Sequence, residues 1–218
     1  MVQALGLLID LDDTLLDEHS AAARAFSTFV EVHASVLGAA ASDTLLERWG
    51  SIAGLHWARF QRGEVSFQGQ RRARVRDFLK IELSDSEADR AFEPYWRQYE
   101  QSWSLFPDVS DFLARTSHLP KVIVTNGERP QQMQKIQACG LLDHLVGVVT
   151  PSDCGYWKPD LELFSAALRV LGISAQSCMM IGDSLENDIE PARTMGMAFF
   201  HVDRANGQGL SKLFSEHG

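Results

Sequence analysis

This 218-residue chain predicts an α/β fold: a parallel sheet with helices on both faces, interrupted by one all-helical insertion. Three observations carry that prediction. An apolar run near the start ends abruptly in carboxylates. After Pro107, short apolar segments alternate with helical ones, the pattern of parallel strands joined by crossover helices. Between the two, residues 17–96 carry apolar side chains at helical spacing. The chain is long enough for one domain with such an insertion.

The first strand lies in Leu8-Ile9-Asp10-Leu11-Asp12-Asp13-Thr14-Leu15-Leu16. Acids at the carboxyl end of a buried strand stand where open α/β sheets bind ligands. Asp10 and Asp12 are two apart, so on an ideal strand they face the same side and repel unless a proton or cation lies between them. Mg2+ is a natural partner for such oxygens. The plainer alternative is an acidic turn with Thr14 as a helix cap.

Residues 20–37 place Ala22, Phe26, Phe29, Val30, His33 and Leu37 at helical spacing, with Ser20 as a cap candidate. Further helices are expected over 42–62, 66–82 and 85–101, punctuated by Gly63 and by Ser84-Asp85. Within them, the run Arg71, Arg72, Arg74 and Arg76 reads as a solvated face, and His33 as a packed residue. Trp49, Trp57, Trp96 and Trp103 read as packing of the same insertion. Beyond Pro107 the candidate strands are 121–125, 145–150, 178–182 and 198–202, and the candidate helices 109–117, 130–139, 161–171 and 188–195. The last ten residues read as a polar tail.

Three further segments fall at strand ends. Val124 leads into Thr125, Asn126 and Gly127, whose hydroxyl, amide and backbone N–H groups suit a phosphate, although such turns also occur where nothing binds. Lys158 precedes Pro159 and a helix; it is either an ordinary surface lysine or a point charge that offsets the acids and binds a phosphate oxygen. Gly182, Asp183 and Ser184 close another strand, with Asp188 five residues past Asp183. Asp188 could be a helix N-cap, whereas Asp183 offers a further carboxylate for a cation.

The formal net charge of −9 argues against nucleic acid or an acidic membrane as partner. Cys139, Cys154 and Cys178 match no disulfide framework or metal spacing, which favours a reducing, cytoplasmic setting. The N-terminal apolar stretch lacks a basic flank and is broken by Asp10 and Asp12, against a leader or membrane span.

Taken in order, Asp10-Leu11-Asp12-Asp13-Thr14, Thr125-Asn126-Gly127, Lys158-Pro159 and Gly182-Asp183-Ser184 with Asp188 resemble the haloacid dehalogenase superfamily in its phosphatase-like branch. The resemblance spans nearly the whole chain. It implies a Rossmann-like catalytic core over residues 1–16 and 97–218, a helical cap over 17–96, and hydrolysis of a small phosphorylated metabolite through an aspartyl-phosphate. By that resemblance Asp10 is the nucleophile and Asp12 the general acid and base. Mg2+ is held by Asp10, the Asp12 main-chain carbonyl and Asp183. Thr125, Asn126, Gly127 and Lys158 bind the phosphoryl group, with Ser184 and Asp188 just behind. Sugar phosphates and nucleoside monophosphates are the expected substrate types. The acid at position 12 disfavours the dehalogenases, which lack it. A phosphomutase on the same core, or a non-catalytic protein retaining the fold, are the alternatives. Arg24, His56, Arg59, Arg62 and the Gly63-Glu64 loop are candidate leaving-group contacts, each also readable as a solvated side chain. No motif speaks to the oligomeric state.

Overall fold

The first strand becomes the middle of the sheet because it is apolar enough to be enclosed on both faces: every residue of Gly6–Ile9 is buried. The computed structural model describes residues 4–38 and 42–217. In chain order the elements are β1 (Gly6–Ile9), α1 (Glu18–Val32), α2 (Ala34–Leu37), α3 (Ser42–Gln61), α4 (Phe67–Leu79), α5 (Asp85–Gln101), α6 (Val109–Arg115), β2 (Lys121–Val124), α7 (Arg129–Ala138), β3 (Gly147–Val149), α8 (Pro151–Cys154), α9 (Leu161–Leu171), β4 (Cys178–Gly182), α10 (Glu190–Thr194) and β5 (Ala198–His201). The chain forms two units, one of residues 1–18 and 103–218 and one of residues 19–102.

In the first unit all strand pairs are parallel, in the order β3-β2-β1-β4-β5. Leu7 is in register with Lys121 on one side and Met179 on the other. Alternate residues sort onto opposite faces. Leu7, Ile9, Ile123 and Ile181 join Phe112 of α6 and Ile136 of α7. Leu8, Val122, Val124 and Met180 join Phe164 of α9 and Ala192 of α10. Strands covered on both faces read as continuous apolar runs, which is why their sequence shows no polar alternation. The strand order reverses between β1 and β4, the switch point at which such sheets form a crevice beyond their carboxyl ends.

Several sequence expectations are corrected in this unit. The segment expected as one helix over 188–195 is a π-helical turn at Leu185–Ile189 followed by α10. The supposed polar tail is a 3-10 helix from Leu210 to His217, with Leu210 buried and Leu213 and Phe214 packed on the core. Its apolar residues stand three and four apart, so one short helical face covers the core. Trp103 packs on this same core cluster rather than in the helical unit. Arg204 donates to both Asp108 oxygens, at 2.8 and 2.7 Å, and to the Thr14 carbonyl at 2.6 Å, tying the last part of the chain to the loop after β1.

The second unit is built on an aromatic centre. Ala21, Ala25, Phe26 and Phe29 make the buried stripe of α1. Trp49 of α3 lies 5.6 Å from Phe26, 5.1 Å from Phe78 of α4 and 5.3 Å from Tyr95 of α5, measured between ring centroids. Helix α1 begins at Glu18, so Ser20 is not its cap; Ser84 does cap α5, in a reciprocal box with Glu87. The arginine run is not simply solvated. Arg72 reaches Asp85 and Asp89, and Arg76 reaches Asp85 at 2.6 Å, because the first turns of α5 present both acids to α4. Exposed pairs of this kind add little to stability. His33 is half-buried against the Ala91 carbonyl at 2.9 Å. His56 is 2% exposed and paired with Asp77 at 2.7 Å, while Arg59 and Arg62 both bond Glu64. No helix among the described residues is long and apolar enough to cross a membrane.

Candidate active site

Because the strands are parallel, the residues that follow them share one edge of the sheet. Asp10 follows β1, Thr125 follows β2 and Asp183 follows β4. The Asp10 N–H donates to the Ile181 carbonyl at 2.9 Å and the Thr125 N–H to the Val149 carbonyl at 3.1 Å, so both backbones are fixed by the sheet ladder. Lys158 comes from the segment before α9. Its main chain is clamped by Asn126: the Lys158 N–H donates to Oδ1 at 2.7 Å and the Asn126 amide donates to the Lys158 carbonyl at 3.0 Å.

Two hydrogen-bonded sets result. In the first, the Lys158 ammonium donates to Asp10 Oδ1 at 2.6 Å and to Asp188 Oδ1 at 2.7 Å, all three groups being buried. Carboxylate oxygens of Asp10, Asp183 and Asp188 lie within 4.8 Å of one another. Asp188 is not a helix N-cap: its other oxygen accepts from the Ser184 N–H at 3.1 Å, and Ser184 itself caps the π-helical turn through the Asn187 N–H. Asp183 is partly exposed, accepts from the Thr14 hydroxyl at 3.4 Å, and has its carbonyl 2.9 Å from the His201 ring. In the second set, Asp12 accepts from Lys135 at 2.6 Å and from Gln132 at 2.8 Å, and the same Gln132 nitrogen donates to the Thr125 hydroxyl at 2.7 Å. Thr125 also accepts from the Gly127 N–H at 3.1 Å.

The expectation that Asp10 and Asp12 share a strand face is therefore corrected. β1 stops at Ile9, the chain turns, and the two carboxylates are held by different lysines. Gln132 and Lys135 were not legible as site residues. Nothing distinguishes them from solvated polar residues of α7 except their spacing of three, which puts them on one helix face.

Three carboxylates around one ammonium make an environment short of positive charge. Burial first, then the Asp188 and Asp183 charges, push the Asp10 carboxyl up to about 8, with Lys158 opposing. Asp183 is raised as well, by burial and by Asp188 and Asp13. Burial works against the charge on Lys158, but Asp10 and Asp188 outweigh it and hold the ammonium above the ordinary lysine value. Asp10 Oδ2 is buried with no hydrogen-bond partner among the described residues. An orphaned carboxylate oxygen inside an all-oxygen cluster fits a hard divalent cation such as Mg2+. The chemistry this permits is attack by a fixed carboxylate on an anionic centre beside a second, independently held acid.

Gly182 is required by this packing: a Cβ there would lie 2.4 Å from Asp188 Oδ2. Gly182→Ala is expected to destabilise by about 1–3 kcal/mol, as overpacking does. That lowers the melting temperature by about 2–12 °C for a chain of this size. An unchanged midpoint in thermal unfolding would mean that Asp188 does not sit against the strand end.

A sequence model described as haloacid dehalogenase-like hydrolase matches residues 5–196. The chain is 28% identical over 222 residues to a phosphoserine phosphatase of Thermus thermophilus, covering 91% of this chain and 88% of that one. The magnesium-bound HAD-hydrolase YfnB of Bacillus subtilis superposes with a TM-score of 0.80 at 23% identity, over 98% of each chain. A 2-haloacid dehalogenase of Pseudomonas syringae superposes with a TM-score of 0.68 at 24% identity, over 98% of this chain and 96% of that one. At these identities both structures establish the fold and neither selects a chemistry.

Proposed function

The chain belongs to the haloacid dehalogenase-like hydrolases, and from that premise we propose that it is a Mg2+-dependent phosphatase acting on small phosphomonoesters through an aspartyl-phosphate. The observation that carries the proposal is the separation of two acids into different environments. Asp10 is buried and locked to Lys158, with one oxygen left over, whereas Asp12 is partly exposed and held by Lys135 and Gln132. Acids whose surroundings differ in this way suit different tasks. Asp12 also disfavours dehalogenation, since the dehalogenase branch lacks an acid at that position.

In the proposed reaction the substrate phosphate lies over Asp10, and one carboxylate oxygen of Asp10 attacks phosphorus in line, the other being left for the cation, while Lys158 holds the carboxylate in place. Asp12 donates its proton to the departing ester oxygen, then takes one from the water that cleaves the aspartyl-phosphate. The Thr125 hydroxyl, which accepts from Gly127 and Gln132, directs its own hydrogen to a phosphoryl oxygen. Asn126 holds the main chain of Lys158 in place. Asp10, Asp183 and the Asp12 carbonyl would hold Mg2+, with Asp188 alongside. When bound, the ion offsets the charge of an anionic nucleophile approaching an anionic phosphate.

The test is phosphate release from a panel of sugar phosphates, nucleoside monophosphates and phosphoserine, with Mg2+ and with chelator. Release that requires the metal supports the proposal; none from any member would reject it. A second expectation concerns stability. With Asp10 raised from 3.8 to about 8, the metal-free fold holds a proton that the unfolded chain has lost, so it loses stability as pH climbs through that window. The same carboxylate would hold Mg2+ in place of that proton. At tenfold its Kd the ion adds about 1.4 kcal/mol. That raises the melting temperature by about 3–6 °C. The gain should be larger at pH 8 than at pH 6 and mostly absent in Asp183→Asn. An equal gain in that variant would place the ion elsewhere.

A further inference from the structure

We infer that Gln132 and Lys135 are positioning residues that aim the Asp12 carboxylate and couple it to the phosphate-binding hydroxyl of Thr125. The inference rests on the phosphatase proposal and extends it to residues outside the four sequence motifs. Both side chains leave the same face of α7, and they divide the two Asp12 oxygens between them: Lys135 takes Oδ1 at 2.6 Å and Gln132 takes Oδ2 at 2.8 Å. A carboxylate bonded at both oxygens has lost its rotation about the terminal torsion, so its lone pairs point in one direction.

Gln132 does more than hold one oxygen. Its amide nitrogen has two hydrogens, and both are used, on Asp12 and on Thr125 Oγ1 at 2.7 Å. The orientation of the amide is thereby fixed, because turning it over would face its carbonyl to the Asp12 carboxylate. The acceptor sites of Thr125 are taken by Gln132 and Gly127, which leaves the hydroxyl hydrogen to point at a ligand. One side chain thus sets the direction of both the proton donor and the phosphate donor. The backbone makes room for it: a Cβ on residue 127 would come within 2.2 Å of the Gln132 amide, so Gly127 is the residue that lets Gln132 reach Thr125. Lys135 and Gln132 are 2% and 1% exposed, an unusual place for both residue types and one that a merely solvated helix face would not produce.

Kinetics with two leaving groups distinguish positioning from general structural support. Proton donation matters for a poor leaving group such as an alkoxide and little for p-nitrophenolate. In Lys135→Met, kcat/KM for the best alkyl phosphomonoester of the panel should fall about 10–100-fold, part of the range that general acids supply. For p-nitrophenyl phosphate the same variant should lose less than about threefold, since that ester needs little proton donation. Gln132→Met should show the same selectivity and add a common rise in KM, because Thr125 loses its partner. Equal losses on both esters, or none, would overturn the inference. A readout independent of turnover accompanies this. Asp12→Asn should lower the melting temperature in the parent, where the Lys135 ammonium then faces a neutral amide, and change it little in the Lys135→Met background. Additive shifts would show that the pair does not form in solution and would overturn the inference whatever the activity. Coupled shifts in a parent that releases phosphate from no ester would instead reject the phosphatase proposal, and with it the catalytic purpose of the clamp.

Discussion

Asp10→Asn is expected to lower phosphate release by about 10^4-fold or more, the scale on which removing a covalent nucleophile acts. The fold should survive. Asparagine keeps the shape of the side chain and an oxygen for the Lys158 ammonium, which also retains Asp188 as its anionic partner. Burial and two neighbouring carboxylates already press Asp10 toward its neutral form, so a permanently neutral residue relieves repulsion. In chelator at pH 8 the variant should therefore melt at or above the temperature of the parent. The difference should shrink as pH falls and the parent takes up its proton. Adding Mg2+ should reverse the order, because the parent gains from the ion and the variant has lost one of its oxygens.

Acid quenching during turnover separates the covalent route from direct attack by water. Radiolabelled phosphate should remain on the parent chain and be absent from Asp10→Asn. Label on the variant would place the nucleophile at another residue, and turnover at the parent rate would remove Asp10 from the chemistry altogether.

The sequence disclosed what the sheet dictates and little of what only side-chain packing decides. The strand 178–182 and the helix 161–171 have the bounds read from the chain, since one is a continuous apolar run and the other an amphipathic stretch between Asp160 and Gly172. Asp10, Thr125 and Asp183 were visible because polar residues ending buried parallel strands must gather at one edge. Lys158 was visible only in company, since a lone lysine before a proline is ordinary. Gln132 and Lys135 were hidden: their neighbours Gln131, Gln134 and Gln137 are equally polar, and only the fold buries one face of α7 against Asp12. Asp188 resembled a helix cap because helix propensity is local, whereas its bond to Lys158 joins residues 30 apart in sequence. The C-terminal helix escaped for a related reason, its three apolar residues being too few to register as a periodic pattern.

Lys158→Met should have the largest effect on stability. Lys158 and Asp188 are 4% and 1% exposed at the side chain, and Asp10 is 8% exposed, so solvent cannot screen what the substitution leaves behind. Breaking a buried pair by removing one partner costs about 3–5 kcal/mol, because the remaining charge is uncompensated. For a chain of this length that corresponds to about 6–20 °C in melting temperature. The sign of the pH dependence follows from the carboxyls that are left. Asp10 and Asp183 lie above their free values in the fold, and losing the ammonium drives them further in that direction. The defect should thus be small near pH 5, where the cluster can take up protons, and full at pH 8. Adding Asp188→Asn to Lys158→Met should recover part of the stability by removing one of the stranded charges. It should recover no activity, since the cation that fixes Asp10 and meets the phosphate is still missing, at a cost of about 10^2–10^3-fold in kcat. A melting temperature within a degree of the parent's, or a loss equal at both pH values, would show that Lys158 is a surface lysine and that the acids are neutralised by another group.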